Sequence, residues 1–129
     1  MSLRADCPAP PPVCQALDSA ELVFHGRVST VEPVNANTTA PGRRVAFTVT
    51  RAFKGVEGKH FTGSFTAAGL EEFRFKPGLE VLVYARRYQG VWTTACSRTI
   101  GQENSGVRSQ AMNTELAQLA SCPARPAGR

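Results

Sequence analysis

Four cysteines, two histidines and one adjacent acidic pair are the residues of this chain with the types to do chemistry. Cys7 and Cys14 enclose six residues, and Cys96 and Cys122 enclose twenty-five. Neither spacing suits a zinc finger or ribbon, and no CxxC pair occurs. An even number of dispersed cysteines reads as two disulfides formed in an oxidising compartment. Four half-cystines permit three connectivities, and spacing does not choose among them. A Cys–His nucleophile pair needs a free thiol, which this reading leaves none to supply. His25 and His60 have no Asp or Glu at a ligand-like spacing, and His25 alternates away from Phe24, so it is expected on the surface. Glu71 and Glu72 are neighbours on an extended chain and point oppositely, as a solvated loop does. Glycine-rich phosphate loops are absent. The expectation is a protein without catalytic activity, cofactor or metal.

What must position the cysteines is a domain of ordinary size. The 129 residues are 42% hydrophobic and 19% charged, which fits one globular core rather than disorder. Apolar runs fall short of the ~20 residues of a membrane span. The formal net charge is +5, carried by scattered pairs such as Arg43-Arg44 and Arg86-Arg87 rather than by a basic run. That reads as a solvated surface. The start, Met1-Ser2-Leu3-Arg4, is too short and polar for a signal peptide. Residues 1–4 are read as an added start and linker, residues 5–122 as the domain, and residues 123–129 as a flexible tail.

The segment Cys7-Pro8-Ala9-Pro10-Pro11-Pro12-Val13-Cys14 is half proline. It can join neither a helix interior nor a central strand. Its expected backbone is polyproline II, which makes no hydrogen bonds of its own. Such a leader stays in place only when bonded to the body, and a cysteine stands at each end to do so. After one helical turn at 15–20, alternation marks a strand over 21–31, with Leu22, Phe24 and Val28 on one face. Gly26 on that face marks a bulge or sharp bend. Residues 43–54 form the clearest strand, with Val45, Phe47, Val49 and Phe53 expected on one face and Arg51 interrupting it. Further strands are read at 59–66, 79–88 and 91–96. The continuous apolar run Val81-Leu82-Val83-Tyr84-Ala85 implies burial on both faces. Met112, Leu116, Leu119 and Ala120 recur at helical spacing, giving one short amphipathic helix over 110–121. Five strands and one late helix point to an all-β fold, a small five-stranded barrel of the OB type. Phe47, Phe53, Phe61, Phe65, Tyr84, Tyr88 and Trp92 lie on strands of a basic barrel, the raw material of a single-strand nucleic-acid platform. Most occupy alternating apolar positions, so core packing is the stronger reading and no nucleic-acid partner is expected.

Several of these features in order resemble the netrin-like domains, and within them the N-terminal domain of tissue inhibitors of metalloproteinases. They are Cys7 before a proline-rich stretch, then Cys14, then Leu22-Val23-Phe24-His25-Gly26-Arg27-Val28, which is similar to the family's first strand. Val45-Ala46-Phe47-Thr48-Val49-Thr50-Arg51-Ala52-Phe53-Lys54-Gly55 is similar to its second. Leu82-Val83-Tyr84-Ala85 ahead of Cys96-Ser97-Arg98-Thr99 resembles single-domain bacterial members. The resemblance implies the pairs Cys7–Cys96 and Cys14–Cys122. Each would close a loop of roughly 90 to 110 residues and contribute about 4–5 kcal/mol on the chain-entropy model.

The resemblance also implies a secreted or periplasmic protein with a zinc metalloprotease, or another extracellular protein, as partner, the alternative being a non-inhibitory extracellular protein- or glycan-binding module. In the inhibitors, the amine and carbonyl oxygen of an N-terminal cysteine grip the protease zinc, and the next side chain enters the specificity pocket. The matching partner-binding residues here are Ala5, Asp6, Cys7 and Pro8. Ala5 stands where the family has its first cysteine, and residues 69–73 lack its bonding partner. The zinc grip uses backbone atoms, so a chain beginning at Ala5 would keep them. With residues 1–4 attached, the Ala5 nitrogen is an amide and cannot ligate.

Overall fold

The computed structural model describes residues 9–33, 42–66, 75–88, 90–94, 97–101 and 109–123. A short helix, α1 (Val13–Ser19), precedes the strands β1 (Leu22–Pro33), β2 (Gly42–Lys54), β3 (His60–Thr66), β4 (Glu80–Tyr88), β5 (Val91–Thr93) and β6 (Ile100–Gly101). A second helix, α2 (Gln110–Ala120), ends the fold. The expected all-β barrel with a short C-terminal helix is what forms. β1 pairs with β2, β2 with β3, β3 with β5, β5 with β4, and β4 returns to β1. Five strands therefore close on themselves, and among the described residues the β3–β5 contact is the one parallel pair. This is the OB arrangement.

Closure gives the sheet an inside and an outside, and β1 and β4 are buried on both. Leu22, Phe24, Val28, Val45, Phe47, Val49, Phe65, Phe75, Val81, Val83 and Ala85 fill the interior. Phe24, Phe47, Phe65 and Phe75 meet there edge-to-face, with centroids 4.9–5.8 Å apart, the arrangement that ring quadrupoles favour. A second cluster covers the outer face. Val13, Ala16 and Leu17 of α1 and Met112 and Leu119 of α2 pack on Val23, Leu82 and Tyr84. The continuous apolar run of β4 is thus explained. Its odd positions face the barrel and its even positions face the helices.

Register breaks steer two residues away from their expected faces. β1 opposes β2 with shifts at Val23/Phe24, His25/Gly26 and Val28/Thr30. Across Gly26 the partner of β1 jumps from Arg51 to Val49. One extra residue inverts the alternation beyond it. Phe53, expected beside Val45, Phe47 and Val49, instead packs against the outer cluster. Arg51 stays exposed and lays its guanidinium 4.9 Å from the Phe53 ring centre. Gly26 is required at the break because a Cβ there would stand 2.5 Å from the Thr48 carbonyl oxygen.

Other boundaries differ by small amounts. The helix expected from residue 15 begins at Val13, so Val13 and Cys14 leave the polyproline segment. Pro12 is the last extended residue, at φ −56° and ψ 159°. The fifth strand, expected over 91–96, is Val91–Thr93, and β6 carries no sequence pattern at two residues long. α2 begins at an N-cap, where the Met112 amide donates to Ser109 Oγ at 3.1 Å. Its buried face is Met112, Glu115 and Leu119, with Ala120 exposed.

Replacing Gly26 with Ala is expected to lower unfolding stability by about 1–3 kcal/mol through overpacking against β2 backbone that cannot yield. Denaturant titration reads this as a lower midpoint at unchanged slope.

Candidate functional site

The leader is the segment that sequence reasoning singled out, and its root is anchored by side chains from three places. Residues 9–12 are exposed. Cys14, one residue into α1, is bonded to Cys122 just past α2, with Cα atoms 5.5 Å apart and 108 residues between them in sequence. That is one of the two pairs implied by the family resemblance. Cys7, Cys96, and the expected partner-binding residues Ala5, Asp6 and Pro8 lie outside the described residues.

A second anchor reaches the leader itself. Proline has no N–H, so a run such as Pro10-Pro11-Pro12 offers a barrel only its carbonyl oxygens. The matching group is a multi-donor cation, and Arg98 supplies it. Arg98 Nη1 donates to the Pro11 carbonyl at 3.0 Å. Its Nε and Nη2 donate to the two oxygens of Glu115 at 2.6 and 2.9 Å, a bidentate fork. Tyr84 of β4 donates its hydroxyl to Glu115 Oε2 at 2.8 Å. A single buried carboxylate therefore joins α2, β4 and the residue that holds the leader.

A third anchor closes α1. Lys54 Nζ donates to the carbonyls of Leu17 and Asp18 at 3.2 and 2.7 Å. These are orphan acceptors of the helix C-terminus, where a cation is also favoured by the dipole.

The Ser97–Thr99 loop that presents Arg98 is itself tied to β4. Between β5 and β6, the edge of β4 at Tyr84 faces no strand. The Thr99 hydroxyl takes the strand's place, accepting from the Tyr84 amide at 2.9 Å and donating to the Tyr84 carbonyl at 3.1 Å. Arg98 is thus held on both sides. Burial, and then the hydrogen bond to the Glu115 carboxylate and its charge, push the Tyr84 phenol well above its usual range. The hydrogen bond to Glu115 raises the Arg98 guanidinium further, against a smaller opposing effect of burial.

Beside the leader lies an open cleft of about 450 Å³. Pro11 and Arg98 form one side, Ala16, Ser19 and Ala20 of α1 another, and Tyr84, Arg86 and Thr93 the floor. Small side chains make its walls smooth. Its polar groups are hydroxyls and guanidinium groups, so the cleft can receive a partner's side chain or short segment carrying acceptors.

His25 does not sit where alternation placed it. It is buried at 4% exposure, with Nε2 2.5 Å from Glu80 Oε2. The outside of β1 is not solvent, because the outer cluster extends across the β1–β4 seam. Glu80 is 55 residues away in sequence, so no local spacing could reveal the pair. His60 is exposed as a separate residue at the start of β3. Among the described residues no three His, Cys, Asp or Glu side chains gather as metal ligands.

Glu115 was missed in the sequence although it left a signal. It stands three residues after Met112 and four before Leu119, on the apolar face of α2. A carboxylate on such a stripe requires a cationic or hydrogen-bonding partner inside the fold.

The aromatic residues other than Tyr88, whose side chain lies outside the described residues, likewise resolve into packing roles. Phe47, Phe61 and Phe65 face the interior, Phe53 and Tyr84 belong to the outer cluster, and Trp92 packs against the interior from the barrel end.

No protein-family model matches the chain, and no curated protein matches it.

Arg98→Ala is expected to cost about 2–4 kcal/mol, because it leaves Glu115 buried without its counter-charge. Adding Glu115→Leu should restore part of that loss in the same denaturation assay. The Tyr84 shift has a defined sign. Its folded pKa lies above the unfolded value of about 10, so its contribution is complete below pH 10 and is lost as pH rises above it. Wild-type stability should therefore fall above pH 10 more steeply than that of Tyr84→Phe, by up to about 1.4 kcal/mol per pH unit.

Proposed function

We propose that this protein is a secreted or periplasmic binding domain that offers its N-terminal leader to a zinc metalloprotease, in the manner of the inhibitors its sequence resembles. The observation that carries this reading is the double anchorage of the leader root. The Cys14–Cys122 bond and the Arg98–Pro11 hydrogen bond hold a proline-rich segment that cannot hold itself. A segment fixed at its base and exposed over residues 9–12 loses less entropy when a partner's cleft receives it. The disulfide supports an oxidising compartment.

The inhibitory chemistry proceeds through backbone atoms. An α-amine has a pKa near 8, so a usable neutral fraction exists at neutral pH. In a chain processed to begin at Ala5, that amine and the Ala5 carbonyl oxygen would ligate the protease zinc and displace its water. Asp6, Cys7 and Pro8 would continue along the substrate cleft.

A second reading draws on the cleft beside Pro11. There the leader and the cleft together form a protein- or glycan-binding surface that touches no zinc, and the domain is a non-inhibitory extracellular module.

The two separate on one comparison. Mass spectrometry of protein from its native host defines the mature start, and that form is assayed against a panel of zinc endopeptidases. The protease reading expects inhibition by a form starting at Ala5. It expects none once the amine is acetylated or residues 1–4 precede it. Inhibition that survives acetylation, or none by the Ala5 form against any member of the panel, would sink the zinc-grip reading.

A further inference from the structure

The cleft beside the leader holds two guanidinium groups in different states. Arg98, on one side, is fixed. Its Nε–H and one N–H of Nη2 are engaged by Glu115, and one N–H of Nη1 by the Pro11 carbonyl. The second N–H of each Nη meets no acceptor among the described residues. Arg86, on the floor, is exposed and makes no hydrogen bond or ion pair with any described residue. Glu115 balances the charge of Arg98. Arg86 therefore supplies the unbalanced charge, and Arg98 supplies donors already in position.

Nothing acidic opposes them. Among the described residues no carboxylate lines the cleft. Glu21, which follows its α1 wall in sequence, accepts instead from the Arg87 amide at 2.6 Å. The C-terminal end of α1 presents a partial negative charge at Ser19 and Ala20 that would oppose an anion. Lys54 offsets it from the carbonyls of Leu17 and Asp18. The lining groups are left with a positive balance.

The walls also select. Pro11, Ala16, Ala20 and Ala85 are small and apolar. The aromatic residue of the lining, Tyr84, is 2% exposed and spends its hydroxyl on Glu115. A sugar ring or a nucleobase thus finds no aromatic face on which to stack. A peptide needs none, since its chain atoms fill smooth walls while a carboxylate meets the guanidinium groups.

We propose, resting on the non-inhibitory reading of the cleft, that it binds an acidic side chain carried on a short peptide segment of a protein partner. Arg86 is the attracting charge, and Arg98 is the fixed donor that orients the carboxylate. Because Glu115 and Pro11 already hold Arg98 still, little side-chain entropy is lost when the ligand arrives.

Random heptapeptides displayed on phage are selected against the intact chain at low salt. A recovered peptide is then synthesised with a fluorophore and blocked termini, and its binding is read by anisotropy. The expected peptides share an Asp or Glu. Replacing that residue by Asn or Gln should weaken binding about tenfold, as loss of a charge-assisted pair does. Arg86→Gln should weaken it by a similar factor. Arg51→Gln, which removes the same charge from an exposed site outside the cleft, should change it by less than about twofold. Ser19→Phe fills the cleft from its exposed α1 wall without touching a charge and should abolish binding. Equal losses in Arg86→Gln and Arg51→Gln would reduce the effect to net charge and overturn the proposal. So would recovery of no peptide. Peptides that lack a carboxylate yet lose binding in Ser19→Phe would sink the acidic ligand and leave the cleft as a binding surface. Acidic peptides that bind Ser19→Phe undiminished would sink the cleft and its ligand together.

Discussion

Closure of the sheet through the β1–β4 ladder is the constraint on which the other features depend. The ladder runs from Leu22 opposite Ala85 to Arg27 opposite Glu80 and converts an open sheet into a barrel. Closure removes the exposed edge and separates an interior from an outer face. It also sets β1 and β4 between two apolar layers, so Val23 and Leu82 are as fully buried as Phe24 and Val83. The helices dock on the outer layer, and the groups that anchor the leader converge there: Cys122 just past α2, Arg98 in the Ser97–Thr99 loop and Lys54 at the end of β2. The tight approach of Gly26 to Thr48 is the local condition for this geometry.

Magnitudes separate what holds the barrel from what holds the leader. Fully burying one large apolar side chain contributes about 1.5–3 kcal/mol. Twelve side chains, from Tyr84 to Val83, are below 2% exposure. One crosslink across a loop of this length contributes roughly 4–5 kcal/mol. Burial therefore supplies most of the gross stabilisation of the barrel, while against a net stability of roughly 5–15 kcal/mol the Cys14–Cys122 bond is a sizeable share. For the leader the balance reverses. Exposed proline residues bury little and donate no amide hydrogen bonds, so the disulfide and Arg98 are what fix their place.

The buried carboxylates follow one rule. Glu115 is accepted inside the fold because Arg98 and Tyr84 satisfy it with charge and hydrogen bonds. Glu80 faces His25 across the seam in the same way.

Much of the fold was legible in the chain because period-two alternation is a local property. Val45, Phe47 and Val49 announced their strand, the unbroken run Val81 to Ala85 announced burial on two faces, and the spacing of Met112 and Leu119 announced the helix. The fate of the leader was legible in part, since a proline run flanked by cysteine has few ways to be held. What stayed hidden depends on contacts between distant residues. A register break at Gly26 turned Phe53 outward, and an outer layer of helices buried His25. Arg98 met Glu115 across seventeen residues, and the fold set Arg86 in one cleft with Arg98. The sequence by itself determined which segments extend or coil, because backbone preference and side-chain alternation act over a few residues. Only the tertiary structure decided which charges pair, which face is solvent and which cation stays open, because those follow from where closure places residues far apart in the chain.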